Sequence, residues 1–255
     1  MARDTPRYRA GHRKTPVILK KPVKSWKSWL WRLLAIFVGV VFLYQLWIFG
    51  HVVYWNFYDP ASSAFMQDRL DVLQEKNPKV TVTLRNQWMP YERISPNLKR
   101  AIVAAEDGKF LEHEGFDFEA IQKAYEKNLK KGKLVAGGST ISQQLAKNLF
   151  LSSKKTPWRK GEEVIITLML ENVMSKRRIL EIYLNVIEWG NGVFGAEAAA
   201  RYYYGVSASS LTAEQSARLA AMVPNPRFYD RNRNTPWLLK KTDILLNRMN
   251  SSQIP

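Results

Sequence analysis

The sequence contains no cysteine among its 255 residues, which excludes a disulfide scaffold, a zinc–thiolate site and a thiol nucleophile. Acidic residues are also scarce: 22 Asp and Glu stand against 39 Lys and Arg, and the formal net charge is +17 at pH 7. This excess of positive charge is typical of proteins that meet nucleic acid, anionic lipid or a phosphorylated substrate. The chain is long enough for one sizeable domain and a membrane segment, but too short for two large domains.

The first 32 residues form a basic tail without an apolar period. They hold ten of the 39 basic residues and one acid, Asp4. A segment of this composition cannot bury enough apolar surface to fold, so it is predicted to be disordered. Because basic residues beside a membrane span favour the cytoplasmic side, residues 1–32 are predicted to be a cytoplasmic tail.

An uncharged run from Leu33 to Tyr58 predicts one transmembrane helix, assigned to residues 33–53. About 20 helical residues, at 1.5 Å each, cross a hydrocarbon core of roughly 30 Å. The alternative is a cleaved signal peptide, because Ala61–Ala64 offers small residues. The long basic region and the wide apolar run favour an uncleaved anchor. Residues 60–255 are then expected outside the membrane, and nucleic acid is not an expected partner.

Residues 54–79 are interpreted as a linker with a short helix, and residues 80–250 as a folded domain. Alternation in Val80–Leu84 predicts a strand, and Trp88–Ile94 is its predicted partner. After Pro96 the apolar residues recur at helical spacing. The predicted fold class is mainly α with a small β element, preceded by one N-terminal transmembrane helix.

Capping residues predict where several helices begin. Helix starts are predicted at Ser95, Asp117, Ser139 or Thr140, and Thr212. A group of aromatic and apolar residues lies around the predicted helix start at Asp117. These residues could either pack in the core or contact a bilayer. The core interpretation is favoured for the members of this group, Phe116, Phe118, Ile121 and Tyr125.

The first of three polar clusters begins with the carboxylate pair Glu106-Asp107 at a predicted helix end. A partly desolvated carboxylate in such a place can act as a general base. The second cluster, residues 137–148, combines a glycine-rich approach, a helix start and Lys147, which together can cradle a phosphate. Taken alone, each cluster has an ordinary alternative: a solvated helix end for the first and a polar helix face for the second.

The third cluster, residues 154–163, places four basic residues close to the carboxylate pair Glu162-Glu163. It is the third cluster whose residues could do chemistry. A solvated, charged helix start is the ordinary alternative for this cluster.

In this order and spacing, the clusters resemble the motifs of the peptidoglycan glycosyltransferases of family 51, which use lipid II. The first cluster is similar to that family's Glu-Asp-x-x-Phe-x-x-His-x-Gly and the second to its Gly-x-Ser-Thr-Ile-x-Gln-Gln-x-x-Lys-Asn. Three further segments resemble the remaining motifs: Arg159-Lys160-x-x-Glu163, Ile179–Asn185, and Leu211–Glu214 with Pro224. The resemblance covers roughly residues 80–250.

The resemblance implies a lysozyme-like, mainly helical domain with a jaw-like part that touches the membrane. It implies a hexosyltransferase that polymerises lipid II into β-1,4-linked glycan strands and releases polyprenyl diphosphate. Glu106 would be the catalytic base, and Glu163 would orient basic groups or hold a divalent cation, Mg²⁺ or Mn²⁺. The implied substrate-binding residues are Asp107, Phe110, His113, Lys123, Ser139, Thr140, Gln143, Gln144, Lys147, Asn148, Lys155, Arg159 and Lys160.

The implied partners are lipid II, the growing lipid-linked glycan and the bilayer, together with cell-division or elongation proteins. The implied location is single-pass in the cytoplasmic (inner) membrane of a bacterium, with the catalytic domain on the periplasmic side. Family members often carry Arg where this chain has Lys123 and Lys155, and Lys lacks the bidentate fork of Arg. Ser152-x-x-Lys155 has no Lys-Thr-Gly partner, so the resemblance is to monofunctional members without a transpeptidase domain.

Two other functions compete with this interpretation. A wall-cleaving lysozyme or lytic transglycosylase would share the fold and a catalytic Glu, but it needs no pyrophosphate site. A non-catalytic scaffold in a division or elongation complex would not need Glu106 and Glu163.

Overall fold

The computed structural model describes residues 26–133, 137–151 and 157–255. The chain divides into two compact units, Met1–Tyr44 and Gln45–Pro255. The boundary falls within the first helix, α1 (Trp26–Phe57). Most of the predicted cytoplasmic tail, residues 1–25, lies outside the described residues.

Among the described residues, α1 is the one helix long and apolar enough to cross a membrane. The candidate span, Ser28–Phe57, includes the predicted 33–53. The last turns of α1 belong to the second unit, where Ile48 and Val52 are fully buried. Arg178 holds the end of this helix, because its guanidinium donates to the carbonyls of Trp55 (2.9 Å) and Tyr58 (2.7 Å).

The second unit is mainly helical. Its remaining helices are α2 (Ala64–Lys76), α3 (Pro96–Glu106), α4 (Phe118–Lys131), α5 (Ile141–Phe150), α6 (Pro157–Val173), α7 (Lys176–Val186), α8 (Ala196–Tyr204), α9 (Ala213–Met222), α10 (Pro226–Arg231) and α11 (Pro236–Arg248). Short 3₁₀ turns lie at Tyr91–Arg93, Ala208–Ser210 and Met249–Ser251.

Helix α7 is the centre of the core, because all its residues from Ile179 to Val186 except Glu181 are buried. A helix that is buried on nearly every side is surrounded by protein. It packs against α5, α6 and α8, and α3 packs against α9 and α11. The largest fully buried side chains include Trp189, Tyr183 and Phe110. Each such side chain contributes roughly 1.5–3 kcal/mol relative to an exposed one.

The predicted caps are confirmed where the structure describes them. The side chains of Ser95, Asp117 and Thr212 accept hydrogen bonds from the backbone of their helices. Of the two predicted candidates for α5, Thr140 is the N-cap, and Gln143 completes a capping box with it. These two side chains satisfy backbone donors that would otherwise be unpaired at the start of α5.

The predicted strand at Val80–Leu84 is wrong, and so is its partner at Trp88–Ile94. Val80–Leu84 does not pair with another strand, because the side-chain amide of Gln74 forms hydrogen bonds with two of its backbone groups. Gln74 donates to the Val80 carbonyl (2.9 Å) and accepts from Val82 N–H (3.0 Å). The second segment contains the 3₁₀ turn instead.

The small sheet has three strands in the order β1-β3-β2: β1 is Arg85–Asn86, β2 is Glu188–Gly190 and β3 is Val193–Phe194. Strands β1 and β3 are parallel, and β2 and β3 are antiparallel. The expectation of helix throughout the region after Pro96 therefore fails at β2 and β3.

The expectation that the aromatic group of α4 belongs to the core is also wrong. Phe118 is 76% exposed and Tyr125 is 63% exposed. Ile121 is exposed, Phe116 is half-buried, and Ala124 is the buried residue of α4. The apolar face of α4 is therefore available for contact outside this domain.

Candidate active site

Glu106 is the last residue of α3, at the wall of a cavity of about 130 Å³. The cavity is also lined by Asp117 from the start of α4 and by Gly137–Thr140 before α5. Burial raises the pKa of Glu106 above its usual range, although a hydrogen bond from Gln144 opposes this shift. A carboxylate with a raised pKa beside a cavity has the properties of a general base.

Gln144 orients Glu106. Its amide N–H donates to Glu106 Oε2 (2.8 Å), and its carbonyl oxygen accepts from the hydroxyl of Tyr183 (2.9 Å). Tyr183 is fully buried in α7, and burial raises its pKa well above the usual value. The hydroxyl therefore remains a donor, and this fixes which way the Gln144 amide points. Gln144 and Tyr183 are positioning residues for the carboxylate.

We predict that Gln144→Met will move the acidic limb of the activity profile to higher pH. The Gln144 hydrogen bond stabilises the ionised form of Glu106, so its loss raises the pKa of Glu106 further. A base must be ionised, and activity would then begin to fall at a higher pH as acid is added. The pH dependence of kcat measures this shift. A limb that stays in place or moves to lower pH would contradict the role given to Gln144.

Asp107 and His113 fix the loop that follows Glu106. The buried carboxylate of Asp107 accepts from Ile141 N–H (3.0 Å), the first residue of α5, and pairs with His113 Nε2 (2.9 Å). His113 Nδ1 accepts from Gly115 N–H (3.1 Å), so the proton of the neutral ring lies on Nε2. Asp107 thereby holds the start of α5, and with it Gln144, against the end of α3.

The glycine-rich approach to α5 needs one of its two glycines. A Cβ on Gly138 would lie 2.9 Å from the Cα of Ile121, so only glycine fits this close to α4. Thr140 donates from its hydroxyl to the Gly115 carbonyl (2.7 Å), and Gln143 is buried in the capping box. Both side chains are therefore used within the protein, whereas Ser139 is exposed at the cavity.

Lys147 lies one turn beyond Gln144 in α5 and joins the first two clusters to the third. Burial lowers its pKa, and the nearby carboxylate of Glu163 opposes this. The charges of Arg159, Glu106 and Lys160 act on it as well. Its ammonium nitrogen is 5.6 Å from the centre of the Phe65 ring. Lys147 is therefore close enough to feel both carboxylates of the site.

Glu163 is the buried carboxylate of the cationic cluster, which we define as Lys147, Arg159, Lys160 and Glu163. Its side chain is 5% exposed and forms an ion pair with Lys160, three residues earlier in α6. The charges of Glu163, Arg159 and Lys160 all act on Lys147, so three cations and one carboxylate lie close together here. This arrangement leaves an excess of positive charge that can stabilise an anionic group.

Three other predicted site residues lie elsewhere or serve the fold. Phe110 is fully buried. The Asn148 side chain donates to the backbone carbonyl of Gln144 within α5 (2.7 Å). Lys123 is exposed on α4 and pairs with Glu119. Lys155 lies outside the described residues.

Sequence reasoning missed Lys241. This residue is in α11, about 135 positions after Glu106. Its charge nevertheless lowers the pKa of Glu106 more than the charge of Lys147 does. The sequence offers no signal for it, because only the packing of α11 against α3 brings the two together.

Sequence reasoning also missed a chain of polar contacts that supports the loop carrying His113. Ser142 donates to Glu171, Glu171 pairs with Lys176 (2.8 Å), and Lys176 donates to the His113 carbonyl (2.5 Å). The chain of contacts ties α5, α6 and α7 to the loop that carries His113.

The chain is similar to known proteins over most of its length. Residues 74–250 match the family model described as Transglycosylase. A biosynthetic peptidoglycan transglycosylase of Nitrosospira multiformis is 73% identical over 229 residues, 90% of this chain and 99% of that protein. Proteins of the same name from Laribacter hongkongensis and Chromobacterium violaceum are 65% and 61% identical, each over 89% of this chain and over 99% and 98% of their own lengths.

Proposed function

The chain belongs to the transglycosylase family and polymerises peptidoglycan glycan strands in cell-wall synthesis, and we propose that it does so by joining lipid II units with Glu106 as the base. The growing strand, still on its polyprenyl diphosphate, is the donor, and lipid II is the acceptor. Glu106 takes the proton of the acceptor 4-hydroxyl as that oxygen attacks the anomeric carbon of the donor. The α-linked diphosphate leaves, a β-1,4 bond forms, and the anomeric configuration inverts.

The observation that carries this proposal is the pairing of one desolvated carboxylate with one group of cations. Glu106 has a raised pKa beside a cavity, and Lys147 links it electrostatically to Glu163 and the cations of α6. A diphosphate leaving group needs charge stabilisation more than protonation. An enzyme that cleaves the wall by hydrolysis has no use for the cationic cluster.

A divalent cation fits this cluster only together with substrate. The described residues contain no group of three or more His, Cys, Asp or Glu side chains that would hold a metal ion. Mg²⁺ is commonly bound by one carboxylate together with substrate phosphates. We propose that Glu163 is that carboxylate and that the cation, Mg²⁺ or Mn²⁺, supplies further positive charge to the diphosphate.

We propose that α1 anchors the protein in the bacterial cytoplasmic membrane, with the basic tail inside and the catalytic domain outside. Because the chain has no cysteine, single cysteines can report the topology. We expect a membrane-impermeant maleimide to label Ser209→Cys in intact spheroplasts, since Ser209 is exposed on the domain. Ala10→Cys in the tail should be labelled only after permeabilisation. The opposite pattern would contradict the proposed orientation.

Labelled lipid II tests the proposed reaction. We expect the detergent-solubilised protein with Mg²⁺ to make long glycan that lysozyme digests. The competing wall-cleaving activity would instead release soluble muropeptides from purified wall. Release of muropeptides without polymerisation would overturn the proposal.

A further inference from the structure

A second and larger cavity, of about 790 Å³, lies between α2, the β2–β3 turn and α10. We call it the Arg69 pocket. Its charged lining consists of four cations and one carboxylate: Arg69, Lys76, Arg227, Arg231 and Asp230. None of these residues belongs to the motifs or to the catalytic cluster. A cavity of this size and sign suits an anionic ligand larger than a single ion.

The carboxylates near the floor of the Arg69 pocket are paired. Arg69, with a side chain 11% exposed, lies 3.4 Å from Glu188, and Arg227 lies 3.5 Å from the other oxygen of the same carboxylate. Asp230 accepts from Asn191 N–H (3.1 Å) and pairs with Arg233 (3.1 Å). Both carboxylates near the floor therefore already have partners and do not neutralise the rim.

The rim of the Arg69 pocket carries two positive charges that are not paired with a carboxylate among the described residues. Lys76 and Arg231 form no ion pair with any carboxylate in the part of the chain that the structure describes, and both are exposed. The amide side chains of Asn77 and Asn225 line the pocket beside them, together with the aromatic ring of Phe228, which is 41% exposed. Cations, amides and an exposed ring are the groups that bind a saccharide bearing carboxylates.

One face of α2 connects this pocket to the catalytic site. Phe65, Arg69, Leu73 and Lys76 recur at helical spacing, so they lie along the same side of the helix. Phe65 meets Lys147 at the catalytic end, and the other three line the pocket. The distance along the helix from Phe65 to Lys76 is roughly 16 Å. A polymer that leaves the catalytic cluster along α2 therefore reaches the pocket within a short stretch of chain.

We propose that the Arg69 pocket binds the free carboxylates of the peptides carried by the glycan strand, and so holds the growing polymer between successive additions. The inference rests on the proposed function, because that function supplies the strand. The peptides of peptidoglycan end in carboxylates that are ionised at neutral pH. Lys76 and Arg231 meet them at the rim, where both side chains can move to reach the strand.

Direct binding tests the pocket without turnover. The probes are uncrosslinked peptidoglycan strands with their peptides, and the same strands after an amidase has removed the peptides. We expect the full-length protein to prefer the peptide-bearing strands. The double variant Lys76→Glu/Arg231→Glu should bind them about tenfold less tightly, as loss of two exposed ion pairs implies, and should bind stripped strands unchanged. The control is Arg93→Glu/Arg100→Glu, two exposed cations outside the pocket.

Product length supplies the second readout. In the double variant, coupling of the first two lipid II molecules should keep its rate, because no strand has yet reached the pocket, and the final strands should be shorter. Equal binding of both kinds of strand by the wild type would overturn the inference. So would a double variant that matches the control in binding and strand length while the wild type polymerises normally. Preferential binding by a wild type that makes no polymer would support the pocket while refuting the proposed function.

Discussion

Glu106→Gln is expected to lower the rate of glycan polymerisation by about 10²–10⁴-fold, the usual cost of losing a general base. The carboxylate of Glu106 is desolvated, held by Gln144 through Oε2 and placed at the wall of the small cavity. Glutamine has the same shape but cannot take a proton from the acceptor hydroxyl. The rate of polymer formation from labelled lipid II, at saturating substrate, measures the loss.

The matched control for this change is Glu112→Gln, an exposed carboxylate in the loop that follows. It should leave the rate close to that of the wild type, because Glu112 is exposed and does not line the small cavity. Glu106→Gln should remain folded, because an amide in this partly buried place costs less desolvation than a charge. A folded Glu106→Gln variant with the wild-type rate would show that another group is the base.

Lys147→Met is expected to cost about 100-fold or more in kcat, as removal of one well-placed charge-stabilising group does. Lys147 is mostly desolvated, and it lies within the field of both Glu106 and Glu163. A charge in such surroundings acts on a developing diphosphate far more strongly than one in water. Methionine keeps an unbranched apolar stem that ends where the ammonium of lysine would begin, so the change removes the ammonium and little else.

Lys147→Arg separates charge from geometry. It should recover part of the lost rate, because the charge returns while the larger guanidinium must fit beside the Phe65 ring. The control Lys79→Met removes an exposed cation after α2 and should change little. If Lys147→Met raised KM but left kcat intact, Lys147 would bind ground state and transition state equally. That result would contradict its assignment to the leaving group.

Local features of the fold were predictable from the sequence because they depend on neighbouring residues. Ser95, Asp117 and Thr212 cap helices through bonds to backbone groups two or three positions away. The same holds for the capping box of Thr140 and Gln143, although the sequence does not tell which motif side chains face the cavity. The sequence predicts that Thr140 and Gln143 bind substrate, and the structure shows that both side chains form the capping box of α5.

The features that sequence reasoning missed depend on contacts between distant segments. Val80–Leu84 alternates like a strand, but the Gln74 side chain takes its backbone bonds. Lys241 acts on Glu106 only because α11 packs on α3. Phe118 and Tyr125 have the spacing of core residues, yet α4 lies at the surface and exposes them. Periodicity identifies the apolar face of a helix, but not what covers that face.

The pH dependence of kcat tests the central claim, that Glu106 is the base. Burial raises the pKa of Glu106, and a base works only when ionised, so activity should be present above this pKa and fall as the pH drops through it. We predict an acidic limb in the wild type that lies above the usual range of a glutamate. The residual activity of Glu106→Gln should lack this limb. The same acidic limb in both proteins would contradict the account, because the titrating base would then be another group.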